Sequence, residues 1–320
     1  MRKSNLEEVK FNIDHVPVMV DSVLEYLQPL ESGIFVDGTF GRGGYTTAIL
    51  ENGNAEVIAI DRDHEAITYG KALLLKYGGR LRILEGSFGC LDEIVRDQGL
   101  ELVDGIVLDL GVSSPQILNS ERGFSFQLDG PLDMRMGSKG LTAGELVNNI
   151  SEQELADIIW KFGQDRHAKK IARAIIKARL IEDIKTTGHL ADIVKRAVKV
   201  DYKKINPATK TFQALRIVVN DEIDQLKRVL SAAEKILKPG GRFVVVCFHS
   251  IEDKIVKNFL KEKSGALVGT SRHLPQKLET PTQSTFDLIN KRVIKPTIQE
   301  VNNNRRARSA RLRAAVRTSV

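Results

Sequence analysis

The run Ile34-Phe35-Val36-Asp37-Gly38-Thr39-Phe40-Gly41-Arg42-Gly43-Gly44-Tyr45 decides the fold. A short apolar stretch ends in a carboxylate, four glycines fall within seven residues, and Thr46-Thr47-Ala48-Ile49-Leu50 resumes a helical pattern. Strand, glycine turn and helix in that order open an α/β sheet with a nucleotide-type cofactor loop. Glycine suits such a turn because the backbone must bend tightly and admit a ligand without a Cβ in the way.

Working outward, the pattern repeats. Val57-Ile58-Ala59-Ile60-Asp61 and Asp104-Gly105-Ile106-Val107-Leu108-Asp109 are apolar runs closing on an acid, and Leu81–Glu85 and Arg242–Phe248 add two further strands. Helices are expected over 64–76 and 91–97 between them, and over Val23–Leu27 with Asp21 or Ser22 as cap. This alternation predicts a doubly wound, Rossmann-like parallel sheet. It stops at Ile117. From there to about Ile205 no convincing strand appears: Glu121–Met136 reads as a Gly/Asp-rich loop, and helical spacing follows over Thr142–Ile150, Glu152–Phe162, Ala168–Arg179 and Leu190–Val198, with a capping-box signature at Ser151 and Glu154. The expected organisation is a sheet domain made of residues 1–116 and 206–320, carrying an all-helical insert over 117–205 for substrate recognition. A long helix over 209–237 ending at Pro239-Gly240-Gly241, a helix 251–261 capped by Ser250, and short strands at 292–294 and 310–316 complete the reading.

The loop's ligand follows from what is missing and what is charged. There is no Gly-Lys-Ser/Thr, which excludes a phosphate-cradling P-loop, and Thr46 stands where a dinucleotide fingerprint has its third glycine. A carboxylate at the mouth of the turn, Asp37, would repel a pyrophosphate by roughly 4 kcal/mol per close charge pair. It would attract the ammonium and sulfonium of S-adenosylmethionine. Asp61 stands where an acid accepts hydrogen bonds from ribose hydroxyls, and Asp109 ends a strand at the ligand-binding edge of the sheet.

The chain has 320 residues, 42% of them hydrophobic, enough for about two domains. No run approaches the ~18 apolar residues of a membrane span. Residues 1–14 are charged and lack a secretory signal, and two cysteines are too few for a disulfide framework or a zinc site. A cytoplasmic protein with no metal is expected. Its formal charge of +7 permits a polyanionic partner. Residues 161–204 are predominantly basic. Arg305, Arg306, Arg308, Arg311, Arg313 and Arg317 crowd the C-terminus without an acid among them, and are either a solvated tail or a phosphate contact.

Eight motifs together resemble one family. They are Asp37-Gly-Thr-Phe-Gly-Arg-Gly-Gly, Ala59-Ile-Asp-Arg-Asp63, Leu108-Asp-Leu-Gly-Val-Ser-Ser-Pro-Gln116, Arg122-Gly-Phe-Ser-Phe126, Asp129-Gly-Pro-Leu-Asp-Met-Arg-Met136, Thr211-Phe-Gln-Ala-Leu-Arg216, Phe248-His-Ser250 and Arg306-Ala-Arg-Ser-Ala310. The resemblance, from His15 to about Arg317, is to the bacterial 16S ribosomal RNA cytosine-N4 methyltransferases of the RsmH or MraW type. It implies a class I methyltransferase sheet with an inserted helical domain, S-adenosylmethionine as methyl donor, and N4 of a cytidine in the decoding region of small-subunit RNA as acceptor. The small ribosomal subunit is then the partner, and a homodimer is compatible with the chain. Cofactor contacts carry over to Gly43, Gly44, Tyr45, Asp61, Phe88, Asp109 and Gln116, with Gly41 in the same turn. Tyr45 departs from the histidine usual in the family.

Ser113-Ser114-Pro115-Gln116 partly resembles the Ser/Asp/Asn-Pro-Pro-aromatic loop of amino-methyltransferases. Ser113 or Ser114 is expected to hold the N4 amine while Asp109 mainly positions the cofactor. Phe124 and Phe126 either stack on an extruded base or plug the core. Arg216, with Lys210, either reaches the RNA backbone or lies on a solvated face. His249 is a structural residue or a base, and Trp160 most simply belongs to the core of the insert. A methyltransferase acting on DNA cytosine or a small molecule, and a non-catalytic RNA-binding assembly factor, stay open as alternatives.

Overall fold

The strands are apolar on both faces because both faces are covered. Along β1 (Ile34–Asp37), Phe35 points into one core and Val36 into the other. The same alternation runs through β2 (Glu56–Asp61), β4 (Val103–Asp109) and β5 (Leu237–Cys247), where Val244 and Val246 face one side and Phe243, Val245 and Cys247 the other. Near-continuous apolar runs of this kind belong to parallel strands buried under helices. The computed structural model describes residues 17–29, 32–198, 206–265 and 283–319. The expected N-terminal arm, the end of the basic run 161–204 and most of the polar stretch 264–289 lie outside them.

With β3 (Leu81–Glu85), β6 (Phe286–Leu288) and β7 (Arg311–Arg317), the order across the sheet is β3-β2-β1-β4-β5-β7-β6. The first five strands are parallel. β7 runs antiparallel to β5, and β6 antiparallel to β7. The sheet is therefore mixed at one edge rather than wholly parallel. The short strand expected at 310–316 forms as β7, so Arg311, Arg313 and Arg317 lie in the sheet and not in a tail, while of the one expected at 292–294 Ile294 makes only an isolated bridge to Leu312. Strand order reverses between β1 and β4, the place where open α/β sheets bind ligands.

α1 (Val20–Leu27), α2 (Gly44–Glu51), α3 (His64–Tyr77) and α4 (Leu91–Asp97) cover the first half of the sheet. α1 starts three residues earlier than expected. Met19, in the left-handed region, is its N-cap, so Asp21 and Ser22 lie inside the helix and cap nothing. A short α5 (Ser114–Leu118) leads into a long loop and then the helical layer: α6 (Ala143–Asn149), α7 (Glu152–Gly163), α8 (Ala168–Arg179) and α9 (Thr187–Ala197). The Ser151–Glu154 capping box forms as expected. These helices share a third core, which also takes in Ala208, Phe212 and Leu215.

Those three residues come from α10 (Ala208–Val219), so the expected single helix over 209–237 is two. α11 (Glu222–Ile236) starts after Asp221, whose φ is 53°. Neither Gly nor Pro marks this break. Asn220 makes it, donating its Nδ2 to the Met134 carbonyl at 2.7 Å and accepting from the Met136 amide at 2.8 Å. Pro239-Gly240-Gly241 then lies within β5 as a bulge, where the register steps from Val103–Leu237 to Gly105–Arg242. α12 (Ser250–Lys263) and α13 (Ile298–Asn303) complete the chain. The cap of α12 is His249, in a capping box with Glu252, and not Ser250.

Candidate active site

The glycine turn after β1 is held from beneath. Asp37 shares the face of Phe35, and there α2 covers it. Its carboxylate is 1% exposed and accepts from the Thr39 amide, the Thr46 amide and, at 2.7 Å, the Thr46 hydroxyl. Burial pushes its pKa up to about 6, against the opposing pull of those donors. Asp37 does not line the cavity above, which corrects the expectation that it meets the ligand at the mouth of the turn. It anchors the turn instead. Gly43 is likewise structural, in the left-handed region at φ 73° as N-cap of α2, with Phe40 and Leu73 packed where a Cβ would sit.

Gly38, Gly41, Gly44, Tyr45, Asp61, Phe88, Asp109, Ser113 and Gln116 line one cavity of about 420 Å³ at the reversal point of the sheet. Its floor is acidic. Asp61 Oδ2 accepts from the Gly41 amide at 2.7 Å, locking the turn to the end of β2, and burial raises its pKa. Asp109 is held through its backbone, whose N–H donates to Thr39 Oγ1 at 2.6 Å. Its Oδ1 is buried without a hydrogen-bond partner. Burial, then the charges of Asp37 and Glu252, push its pKa up to about 8. The Tyr45 hydroxyl donates to the Val18 carbonyl, and burial carries its pKa well above the usual value.

Ser113 and Ser114 open α5. Ser114 Oγ is buried without a partner. Gln116 is spent on structure at both ends, its Oε1 accepting from the Ser113 amide and its Nε2 donating to Asp63 at 2.7 Å. Asp63 is buried and also pairs with both terminal nitrogens of Arg122, whose Nη2 donates in addition to the carbonyls of Arg135 and Met136. One buried network thus ties the cavity's serine loop to the long loop that enters the helical layer.

The mouth of the cavity is cationic. Arg42, Arg62, Arg216, Arg305, Arg306 and Arg308 line it. Arg42 stacks on the Tyr69 ring at 4.3 Å, and Arg62 donates to the Asn220 carbonyl. Arg305, Arg306 and Arg308 sit on a 3-10 turn just before β7, exposed, with no acidic partner among the described residues. Arg311 and Arg313, by contrast, pair with Asp253. Arg216 is not on a solvated face. Its guanidinium grips both oxygens of Glu222, at 2.7 and 2.8 Å, while Lys210 donates to the Gln164 carbonyl.

Other sequence candidates lie elsewhere. Phe126 packs edge-to-face on Phe212 and Phe124 lies against the helical core, so neither lines the cavity. His249 is outside the lining, with Nε2 2.9 Å from Glu252 Oε1. Glu222, His249 and Glu252 are close enough to share a cation, but Arg216 already occupies both oxygens of Glu222. Trp160 is 62% exposed, not core. Sequence reasoning missed Thr39, Arg62, Met136 and Phe248 as site residues. All four sat inside recognised motifs, but Met136 and Arg62 are fixed at the cavity by Asn220, which no local pattern announces.

An acid floor with an orphaned carboxylate oxygen, a glycine wall open to a backbone-close ligand, and an arginine mouth suit two ligands of opposite charge. The floor fits the cationic S-adenosylmethionine, and the mouth fits a polyanion. The family model described as the MraW methylase family matches residues 12–318. The ribosomal RNA small subunit methyltransferase H of Methylobacterium nodulans is 54% identical over 307 residues, covering 95% of this chain and 90% of its own. Proteins of the same name from Azorhizobium caulinodans (53% identical, 95% and 87% covered) and Paramagnetospirillum magneticum (49%, 95% and 96%) are similar at comparable length. With its Rossmann-like class I sheet, this chain belongs to the MraW methylase family.

Proposed function

We propose that the protein methylates the N4 exocyclic amine of a cytidine in the decoding region of 16S ribosomal RNA, on the small ribosomal subunit in the cytoplasm. One observation carries the reading: a single cavity joins buried carboxylates on its floor to unpaired arginines at its mouth. The similarity to proteins named small-subunit ribosomal RNA methyltransferases supports the substrate class.

S-adenosylmethionine, when bound, supplies the electrophilic methyl group and a positive sulfonium. The chain's own residues have three tasks. Asp61 and Asp109 hold the cationic donor on the floor, with Gly41, Gly44, Tyr45 and Phe88 as its walls. Ser113, which lines the cavity, or Ser114 beside it accepts a hydrogen bond from the amine and aims its lone pair, which the pyrimidine ring otherwise delocalises. Orientation of this kind can supply as much as about 7–11 kcal/mol of the barrier reduction. Arg305, Arg306 and Arg308 hold backbone phosphates beside the inserted nucleotide, and the helical layer over 117–205 serves as the RNA-recognition domain. Phe124, Phe126 and His249 act as supports to the layer and to the cap of α12, not as contacts to the base.

Labelled methyl transfer to purified small-subunit particles and to cytosine-containing duplex DNA tests the proposal. Label in small-subunit RNA alone is expected. Label in DNA, or in neither, would overturn it.

A further inference from the structure

The start of the basic run in the helical layer carries as much excess charge as the arginine-rich C-terminus. Residues 160–179 hold seven lysines and arginines and one acid, Asp165, a net of +6 in a chain whose total is +7. Asp165 is buried and accepts from the His167 amide, so it neutralises nothing at the surface. α8 buries Ile171, Ala172 and Ile175 in the helical core and turns Lys169, Lys170, Arg173 and Lys177 outward. Arg173 meets Glu152 on α7. Lys169, Lys170 and Lys177 have no acidic partner among the described residues. Lys169 to Lys177 spans about 12 Å at 1.5 Å per residue, enough for three to four phosphates at the ~3.4 Å rise of a stacked strand and fewer in an extended one.

On α7, which packs against α8, the chain's single tryptophan, Trp160, is 62% exposed and is followed by exposed Lys161. A large aromatic in solvent, on the helix packed against a row of lysines without acidic partners, has no use in the core of the layer. It is the combination that binds single-stranded nucleic acid, stacking for the base and cations for the backbone. The patch also leads to the cavity. Gln164, which ends α7, accepts from the Ser250 hydroxyl at 2.8 Å, two residues beyond Phe248 in the cavity wall.

We infer that Trp160, Lys161, Lys169, Lys170, Arg173 and Lys177 form an RNA-docking face, where the strand flanking the target nucleotide lies with a base on Trp160 and its phosphates along α8. This rests on the RNA reaction proposed above and adds a second anchor, distinct from the arginines at the cavity mouth.

The test compares the wild-type protein with two variants, Lys169→Ala/Lys170→Ala/Lys177→Ala and a control of equal charge loss, Lys71→Ala/Lys254→Ala/Lys257→Ala. Each is measured for binding to unmethylated small-subunit particles, and to the protein-stripped RNA, across a salt series. Calorimetry with S-adenosylmethionine reports folding. The face predicts at least tenfold weaker binding for the first variant at about 0.1 M salt. Its log–log salt slope should fall by roughly two, at ~0.7–0.9 per phosphate contact. The control should differ little from wild type. In the wild-type protein, RNA should quench the single tryptophan's fluorescence. Equal slopes for the two variants, or unchanged fluorescence in wild type on RNA binding, would overturn the face even if a variant failed to fold. Weakened binding to particles with unchanged binding to stripped RNA would assign the patch to a ribosomal protein and also overturn it. Absence of methyl transfer by the wild-type protein would sink the reaction instead, and is read in a separate assay.

Discussion

The backbone amide of Asp109 donates to the hydroxyl of Thr39 at 2.6 Å, joining the end of β4 to the glycine turn after β1 across the switch point of the sheet. Each side of the cavity floor is thereby positioned by the other. Of the Asp109 carboxylate, one oxygen, Oδ1, stays buried without a hydrogen-bond partner.

Removing the Thr39 hydroxyl should loosen this floor. Thr39→Val leaves the Asp109 amide without its acceptor, at a cost of about 1–3 kcal/mol for an unsatisfied buried donor. Part of that cost should appear as S-adenosylmethionine affinity weakened by roughly tenfold in calorimetry. Thr39→Ser should bind nearly as well as wild type. A Ser variant as weak as the Val variant would show that the methyl, not the hydroxyl, matters.

Donor binding should depend on pH. With a pKa of about 8 Asp109 is mostly protonated at pH 7 in the unliganded protein, and a cationic ligand favours the ionised form. Binding then releases a proton, and affinity should rise from pH 6 to pH 8 by up to about tenfold per unit. Asp109→Asn should bind weakly and flatten the profile. The same shift has the opposite sign for stability. A raised carboxyl pKa stabilises the fold at low pH, and this contribution is lost as pH rises from the unfolded value through about 8. In the absence of ligand, Asp109→Asn should therefore raise Tm relative to wild type at pH 8.5 more than at pH 5.

Arg122 should matter to stability more than its distance from the floor suggests. It neutralises Asp63, whose side chain is 8% exposed and also holds Gln116. Arg122→Ala strands a buried carboxylate, which typically costs about 3–5 kcal/mol. Chemical denaturation should show a lower midpoint, and the double variant Arg122→Ala/Asp63→Asn should recover part of the loss. Additive losses in the double variant would argue that the two residues act independently.

The arginines at the mouth should separate substrate from cofactor. Arg305→Ala/Arg306→Ala/Arg308→Ala removes three cations with no acidic partner among the described residues. kcat/KM for RNA should fall on the order of tenfold to a hundredfold at about 0.1 M salt, with a shallower salt dependence. S-adenosylmethionine affinity, measured by calorimetry, should stay within about twofold. An unchanged kcat/KM would remove these residues from RNA binding.

Much of this was legible in the sequence, for physical reasons that also mark its limits. Apolar runs closing on Asp61 and Asp109 announce buried parallel strands whose ends meet at one edge, so the acid floor could be read directly. Asp37 belongs to the same pattern and the same sheet face, but its register partners are Ala59 and Val107, so it stops two residues short of Asp61 and Asp109 and Thr46 covers it, and a motif does not say how far along the sheet a strand reaches. Arg216 reads as a surface cation until Glu222 is brought to it by a helix break. That break is made by Asn220 reaching two backbone groups of a loop more than eighty residues away in the chain. The arginines near the C-terminus look like a tail because the alternation of β7 is weak. Only the pairing with β5 and with Asp253 separates Arg311 and Arg313, which are structural, from Arg305, Arg306 and Arg308, which face the cavity. Tertiary contacts decided each of these cases.

Mass mapping of small-subunit RNA reads the acceptor atom itself. RNA from cells lacking the protein, incubated with S-adenosylmethionine with and without the purified protein, should gain one methyl group on N4 of a cytidine in the decoding region only when the protein is present. A methyl group on a carbon or ribose position, or the same spectrum in both samples, would contradict the account.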